Sequence, residues 1–126
     1  MGQPVMKYLV DSNIIIYHLN GESTATDFIL SNLHQSAISQ ITYIEVLSFD
    51  FAEDELMAVK ELLDCFDILD TSKAIAVQCL KNRKARKIKL PDNLIASTAQ
   101  INDLVLVTNN VADFKNLDIK IMNVFE

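Results

Sequence analysis

The sequence predicts an α/β protein in three layers, with helices on both faces of a central, mostly parallel sheet of five strands. Short β-prone runs alternate along the chain with longer segments of helical periodicity. Strands joined by helical crossovers run parallel, because a tight turn joins only antiparallel neighbours. The chain of 126 residues contains only 2 Gly and 2 Pro, which leaves little room for a linker. We therefore expect one domain over residues 1–126.

The predicted strands are apolar runs bounded by polar residues. They cover residues 7–10, 37–39, 66–69, 104–107 and 119–122, and the last is expected at a sheet edge. Helices are predicted over residues 12–19, about 23–33, from Thr42, from Glu53, over 73–86 and over 93–101. Ser23 or Thr24 is the expected cap of the second helix, and Asp70-Thr71-Ser72 is expected to cap the helix that follows it.

Composition excludes several classes of protein. A formal charge of −6 and an isoelectric point near 4.8 argue against a protein that coats nucleic acid by neutralising phosphates. They agree with an enzyme that gathers carboxylates around a cation. We interpret Cys65 and Cys79 as reduced core residues of a cytoplasmic protein. No apolar run has the length of a membrane span, and no signal sequence is evident, so no membrane partner is expected.

Side chains that can bind a cation lie beside several predicted strands. An open parallel sheet gathers its ligands at the carboxyl ends of its strands, so these groups are expected at one edge. They are Asp11, Ser12 and Asn13 after the first strand, Glu45 after the second, Asp92 before the fourth, and Thr108, Asn110 and Asp113 after the fourth.

Each of these acids also has a simpler interpretation as a helix cap. Asp is a favoured N-cap residue, so Asp11 and Asp92 could each do no more than cap a helix. Thr42 and Glu45 have the spacing of a capping box. Asn110 or Asp113 could cap as well. Residue by residue, both interpretations stay open.

Taken together, the acids favour a metal site. Two carboxylates about 4 Å apart repel by about 4 kcal/mol at an effective dielectric of about 20, so converging acids need protons or a cation. Ligands that are all oxygen favour Mg²⁺ or Mn²⁺ over zinc. Such an ion can bind phosphate and activate water for phosphodiester cleavage. The two histidines, His18 and His34, are expected in helices away from these groups.

A dense basic run precedes Asp92. It consists of Lys81, Arg83, Lys84, Arg86, Lys87 and Lys89. A solvated helix face is the simpler interpretation. The functional one is a patch beside the metal that binds RNA phosphates, with Arg83, Lys84, Arg86 and Lys87 as the contacting residues.

Four motifs resemble the PIN domain nucleases, and within them the VapC-type toxins. Val10-Asp11-Ser12-Asn13 is similar to the first strand and first acid of that family, and Ile41 to Leu47 resembles the helix with its second acid. Pro91 to Ala99 is similar to the third-acid helix and is the most specific motif. Val107 to Phe114 resembles the terminal turn, so the resemblance covers nearly the whole chain.

This resemblance implies an endoribonuclease dependent on Mg²⁺ or Mn²⁺, the toxin of a toxin–antitoxin pair. It implies that Asp11, Glu45 and Asp92 form the acidic core and that Thr108 orients a neighbouring group. Some family members carry an acid where this chain has Asn110, so Asp113 is the other candidate for a fourth catalytic group. Whether one or two ions bind stays open.

The resemblance also implies partners. The helix pair over residues 41–63, with Phe49 and Phe51, is expected to bind a cognate antitoxin, and a homodimer is expected. The first alternative is a phospho-acceptor receiver domain that uses Asp70. A receiver needs a second acid after Asp11, and this chain lacks one there. A catalytically weakened PIN scaffold that binds a partner is the other alternative, and the amide at Asn110 favours it.

Overall fold

The computed structural model describes residues 5–126, in which one sheet of five parallel strands forms the centre. The strands are β1 Tyr8–Val10, β2 Ser36–Ser39, β3 Asp67–Leu69, β4 Val105–Val107 and β5 Ile121–Met122. The α-helices are α1 Ser12–Leu19, α2 Ser23–Asn32, α3 Gln40–Leu47, α4 Glu53–Asp64, α5 Lys73–Ala85 and α6 Leu90–Ile101. Short 3₁₀ helices cover Leu33–Gln35 and Val111–Phe114.

The structure confirms the predicted α/β class, the five strands and the three layers. All the strand pairs are parallel, and β5 lies at an edge as expected. Alternate residues of each central strand enter different hydrophobic clusters. Tyr8 and Val10 pack towards α1 to α4, whereas Leu9 packs towards α6. A sheet covered on both faces explains why its strands are continuous apolar runs.

The order of the strands creates a crevice between β1 and β4. The sheet order is β3-β2-β1-β4-β5, so the chain first builds outward from β1 on one side and then continues on the other. Val10 pairs with Val107, and the Asp11 amide donates to the Val107 carbonyl over 2.9 Å. The residues that follow β1 and β4 therefore meet at the point where the strand order reverses, which is where such sheets bind ligands.

Two helix starts differ from the predictions. Helix α3 begins at Gln40, because the Ser39 hydroxyl caps it by accepting from the Ile41 amide over 3.0 Å. The predicted capping box of Thr42 and Glu45 is therefore wrong. Helix α6 begins at Leu90, with Asp92 inside its first turn, so Asp92 does not cap a helix.

Three smaller predictions were also tested. Helix α2 has Glu22 at its N-cap with no side-chain hydrogen bond, so the caps predicted at Ser23 or Thr24 are wrong. Ser72 does cap α5, accepting from the Ile75 amide. Cys79 is buried as expected, but Cys65 is exposed because it follows the last turn of α4 on the surface.

Over residues 5–126, every helix is too short or too polar to cross a bilayer.

Candidate active site

Asp11 is the central acid of the site. It is buried, with 5% of its surface exposed, and it caps α1 by accepting from the Ser12 amide over 2.8 Å. Its second carboxylate oxygen, Oδ2, accepts from the Thr108 hydroxyl over 2.8 Å and from the Asn13 amide group over 3.2 Å. The capping role predicted for Asp11 is thus present, and it uses only one of the two oxygens. The other oxygen joins the ends of β1 and β4.

Thr108 uses the whole hydrogen-bonding capacity of its hydroxyl. Besides donating to Asp11, its buried Oγ1 accepts from the Asn13 side chain over 3.2 Å and from the Asn110 amide over 3.0 Å. Asn13 is fixed in turn, because its Oδ1 accepts from the Asn109 amide over 3.1 Å. A hydroxyl has one proton and two lone pairs. Thr108 is therefore locked in one orientation, and its neighbour Asp11 with it.

Ser12 connects the first acid to the second. Its hydroxyl donates to Glu45 Oε1 over 2.6 Å, which is the short distance typical of a bond to a carboxylate. Glu45 is half-buried on α3, and Asp92 is half-buried on α6. The helices after β2 and before β4 thus bring their acids towards Asp11. The resemblance had assigned Thr108 an orienting role, but no signal in the sequence indicated the contact of Ser12 with Glu45.

The electrostatics of the site show that the acids lie close together. The pKa of Asp11 is raised from 3.8 to about 6, chiefly by burial. The hydrogen bonds from Thr108 and Ser12 oppose this rise, and the charges of Glu45 and Asp92 add to it. Burial also raises the pKa of Asp92, and the charges of Asp113 and Glu45 add to this effect. Negative charge is therefore in excess here, and a cation would relieve it.

Asp11, Glu45 and Asp92 line one cavity of about 460 Å³, here called the acid pocket. Ser12, Asn13 and Asn110 line it as well. No group of three acids, cysteines or histidines within residues 5–126 is close enough to form a ready metal cage. The pocket still suits a hard cation, because its donors are oxygens and the pKa values of Asp11 and Asp92 are raised. Asp11, Glu45 and Asp92 are the residues that would hold the ion.

A second cavity of about 430 Å³ adjoins the first at Asp92. This basic cleft is lined by Arg83, Arg86, Lys87, Ile88, Lys89, Asp92 and Asp113. Arg83 donates to the Ile88 carbonyl and Arg86 to the Lys115 carbonyl, so the cleft has a fixed wall. Lys84 lies on α5 outside this lining. Asp113 is exposed and faces the cleft, whereas the exposed Asn110 faces the acid pocket.

A buried network of amides joins α5 to α6. The Asn82 amide group donates to Asn93 Oδ1 over 3.1 Å, to Ser97 Oγ over 3.1 Å and to Gln100 Oε1 over 2.8 Å. Asn93 donates in turn to the Cys79 carbonyl over 2.8 Å. Asn93 follows Asp92, and Asn82 precedes Arg83. The network therefore fixes Asp92 relative to the cations of the basic cleft. Sequence analysis missed it, because isolated amides in a helical pattern give no such signal.

Comparison with known proteins agrees with this geometry. The family model described as "PIN domain" matches residues 8–120, which is most of the chain. This chain belongs to the PIN domain family. Membership excludes the receiver-like alternative. Asp70, its predicted phospho-acceptor, instead accepts a hydrogen bond from Gln40 at the end of β3, away from the acid pocket.

Named relatives of this PIN domain are ribonucleases. The chain is 34% identical over 113 residues to "Ribonuclease VapC10" of Mycobacterium tuberculosis, covering 84% of each protein. It is 24% identical over 123 residues to "tRNA(fMet)-specific endonuclease VapC" of Shigella flexneri, covering 90% of this chain and 93% of that one. The solved "Toxin-antitoxin complex from Klebsiella pneumoniae" matches with a TM-score of 0.85 and 32% identity, over 95% of this chain and 99% of the other.

Proposed function

We propose that this PIN domain is an endoribonuclease that depends on Mg²⁺ or Mn²⁺ and hydrolyses phosphodiester bonds in RNA. The observation that carries the proposal is the position of Asp11. It is buried at the switch point of the sheet, is held there by Thr108, and shares one pocket with Glu45 and Asp92. The ribonuclease names of the relatives support the same activity.

Asp11, Glu45 and Asp92 are the proposed ligands of the metal and belong to the catalytic set. When bound, the ion would polarise the attacking water and stabilise the charge that develops on the phosphate. Thr108 and Asn13 keep Asp11 Oδ2 in place, and Ser12 fixes one oxygen of Glu45. Since these oxygens are positioned before substrate binds, little reorganisation is needed during the reaction.

Asp113 is the proposed fourth catalytic acid, and Asn110 supports the site. Asp113 lies close enough to Asp92 to raise its pKa, and it faces the basic cleft. Asn110 contributes a neutral amide to the acid pocket itself, and its backbone amide donates to Thr108. An amide at this position makes the pocket less negative than a carboxylate would, which would weaken the binding of a second metal ion.

RNA is the proposed substrate because the basic cleft opens beside Asp92. Six of the 11 Lys and Arg residues lie within residues 81–89, in a chain of net charge −6. Within residues 5–126 the observed ion pair is Lys120 with Asp103, so none of the cleft cations lies within salt-bridge distance of an acid. Arg83, Lys84, Arg86 and Lys87 are proposed to bind the phosphates that flank the scissile bond.

This nuclease is also proposed to be the toxin of a toxin–antitoxin pair and to form a homodimer. The Klebsiella structure that it resembles is named as a toxin–antitoxin complex. On this chain, Ile44, Phe49 and Met57 of the α3–α4 region expose more than half of their surfaces. Burying such apolar groups against a protein partner would be favourable. Light scattering at micromolar concentration tests the dimer, and a mass equal to one chain would contradict it.

Cleavage of a mixed structured RNA tests the activity. The wild type and Asp92→Asn are compared in Mn²⁺, in Mg²⁺ and in EDTA, with Asp27→Asn as a control at an exposed acid on α2. We expect cutting that needs metal, survives in Asp27→Asn and is lost in Asp92→Asn. If the folded wild-type protein cuts no RNA with either metal, the proposed nuclease activity is refuted. That result would favour the alternative of a catalytically weakened scaffold, which the amide of Asn110 supports.

A further inference from the structure

The acid pocket continues beyond its carboxylates into an aromatic end. Its wall there is formed by Ile16, Tyr17, Asn20 and Phe49. The basic cleft shares Asp92 with the acid pocket, so the two cavities meet at this acid. The aromatic end and the basic cleft differ in chemistry, and both belong to cavities that the proposed metal ligand Asp92 lines. A substrate that spans both must have an anionic part and a flat, apolar part.

Phe49 is the most exposed ring in this wall. It lies just past the C-terminus of α3, four residues after Glu45, with 54% of its surface exposed. The Phe51 ring lies 6.3 Å from it, centroid to centroid, at an angle of 49°, and supports it from one side. Tyr17 is held by Asn109, which donates to its hydroxyl over 2.9 Å, and by the Phe125 ring at 4.9 Å. The wall is therefore formed by rings with fixed neighbours.

The charges decide which part of a nucleotide enters this end. Carboxylates at the entrance disfavour a second phosphate there, whereas the cations of the basic cleft favour one on the other side of Asp92. A nucleobase is neutral and flat and can stack on an aromatic ring, while the Asn20 and Asn110 amides offer donors and acceptors to its edge. A cavity of about 460 Å³ is within the range of small-molecule sites.

We propose that the aromatic end of the acid pocket binds one unpaired base of the RNA, stacked on Phe49, beside the phosphate that is cleaved. This inference rests on the proposed ribonuclease function and adds to it a base subsite at Phe49. A base inside a duplex cannot enter, because both of its faces are already stacked.

Fluorescence gives a test that does not depend on cleavage. The chain contains no Trp, so Phe49→Trp introduces a single Trp into the subsite, and its emission can be excited separately from that of the 3 Tyr. The variant is made in the Asp92→Asn background and titrated in Mg²⁺ with a single-stranded hexaribonucleotide, with the same sequence as a duplex, and with the abasic sugar–phosphate hexamer. The control is Leu30→Trp in the same background, at an exposed apolar position on α2 outside the acid pocket.

We expect quenching that saturates with the single-stranded hexamer, and no quenching with the duplex, with the abasic hexamer or in the Leu30→Trp control. Equal quenching by the abasic hexamer would show phosphate binding only and would overturn the proposal. Quenching by a co-expressed protein partner but not by any RNA would identify a protein-docking site and would also overturn it.

Cleavage kinetics separate this proposal from the nuclease proposal. In the otherwise wild-type enzyme, Phe49→Ala should raise KM for single-stranded RNA by about tenfold, the loss typical of one stacked base, and Phe49→Tyr should restore it. An unchanged KM in an active Phe49→Ala enzyme would overturn the base subsite and leave the nuclease intact. Inactive wild type would refute the nuclease, and the fluorescence titration would still decide whether the pocket binds a base.

Discussion

Asp11 is expected to destabilise the metal-free protein at neutral pH. Folding buries its carboxylate beside Glu45 and Asp92 and raises its pKa from 3.8 to about 6. Between these two values the folded protein binds a proton that the unfolded chain releases. The free energy of unfolding should therefore rise as the pH falls through this window, and the stabilisation should be lost as the pH rises through the folded-state pKa.

The size of this effect follows from the displacement of the pKa. About two pH units at about 1.4 kcal/mol each amount to about 3 kcal/mol over the whole window. Between about pH 7.5 and about pH 5, the free energy of unfolding should increase by about 1.4 kcal/mol from Asp11 alone. The raised pKa of Asp92, which burial and the charges of Asp113 and Glu45 cause, acts in the same direction.

Urea unfolding in EDTA at the two pH values measures the change. Asp11→Asn should lose about 1.4 kcal/mol of the increase, since an amide does not titrate but can still cap α1. Asp27→Asn is the matched control, because it changes the net charge equally at an exposed position and should keep the increase. Wild-type stability that stays flat or falls between about pH 7.5 and about pH 5, or an Asp11→Asn variant with the full increase, would refute the reasoning.

Four further outcomes are expected. Mg²⁺ should raise the Tm at pH 7.5 more than at pH 5, because protons compete with the metal for Asp11. Thermal-shift measurements at several Mg²⁺ concentrations check this, and equal shifts at the two pH values would contradict it. Thr108→Val should lower kcat by at least about tenfold and the free energy of unfolding by about 1–3 kcal/mol, whereas Thr108→Ser should stay close to wild type. Equal kcat values for the two variants would contradict the orienting role of Thr108. Asn82→Leu should cost about 2–4 kcal/mol in urea unfolding, because Asn93, Ser97 and Gln100 lose their shared donor, whereas Gln40→Leu, at a half-buried position that bonds to Asp70 and Thr71, should cost less. Replacing the three cleft cations Arg83, Arg86 and Lys87 with Gln should weaken RNA binding and reduce the salt slope by about 2, and an unchanged slope would exclude phosphate contacts by these residues.

The strands and the acids could be predicted because their signals are local. Apolar runs define the strands, and Asp11 follows β1 directly in the sequence. The start of α3 could not be predicted in the same way, because Ser39 and Thr42 are both good caps. The end of β2 decides between them: Ser39 is its last residue and pairs with Leu69 of β3, so the helix begins at Gln40.

The supporting contacts of the site could not be predicted, because they join residues far apart in the chain. Ser12 and Glu45 are 33 residues apart, and Asn13 and Asn109 are 96 residues apart. A single sequence gives only the identity of these side chains, and Ser and Asn are common at surfaces. Phe49 was expected on a surface that binds a partner, and it is exposed, but only the fold shows that it lines the same pocket as Asp11.

The bond between Asp11 and Thr108 also bears on how the protein is synthesised. It closes a separation of 97 residues, and β1 needs β4 as its second neighbour in the sheet. A ribosome-bound chain that ends before Thr108 therefore has the acids Asp11, Glu45 and Asp92 but lacks the hydroxyl and the strand that fix Asp11 at the centre of the sheet. The centre can form only when nearly all of the chain has left the ribosome. Prematurely terminated products should consequently be inert towards the RNA of the cell that makes them.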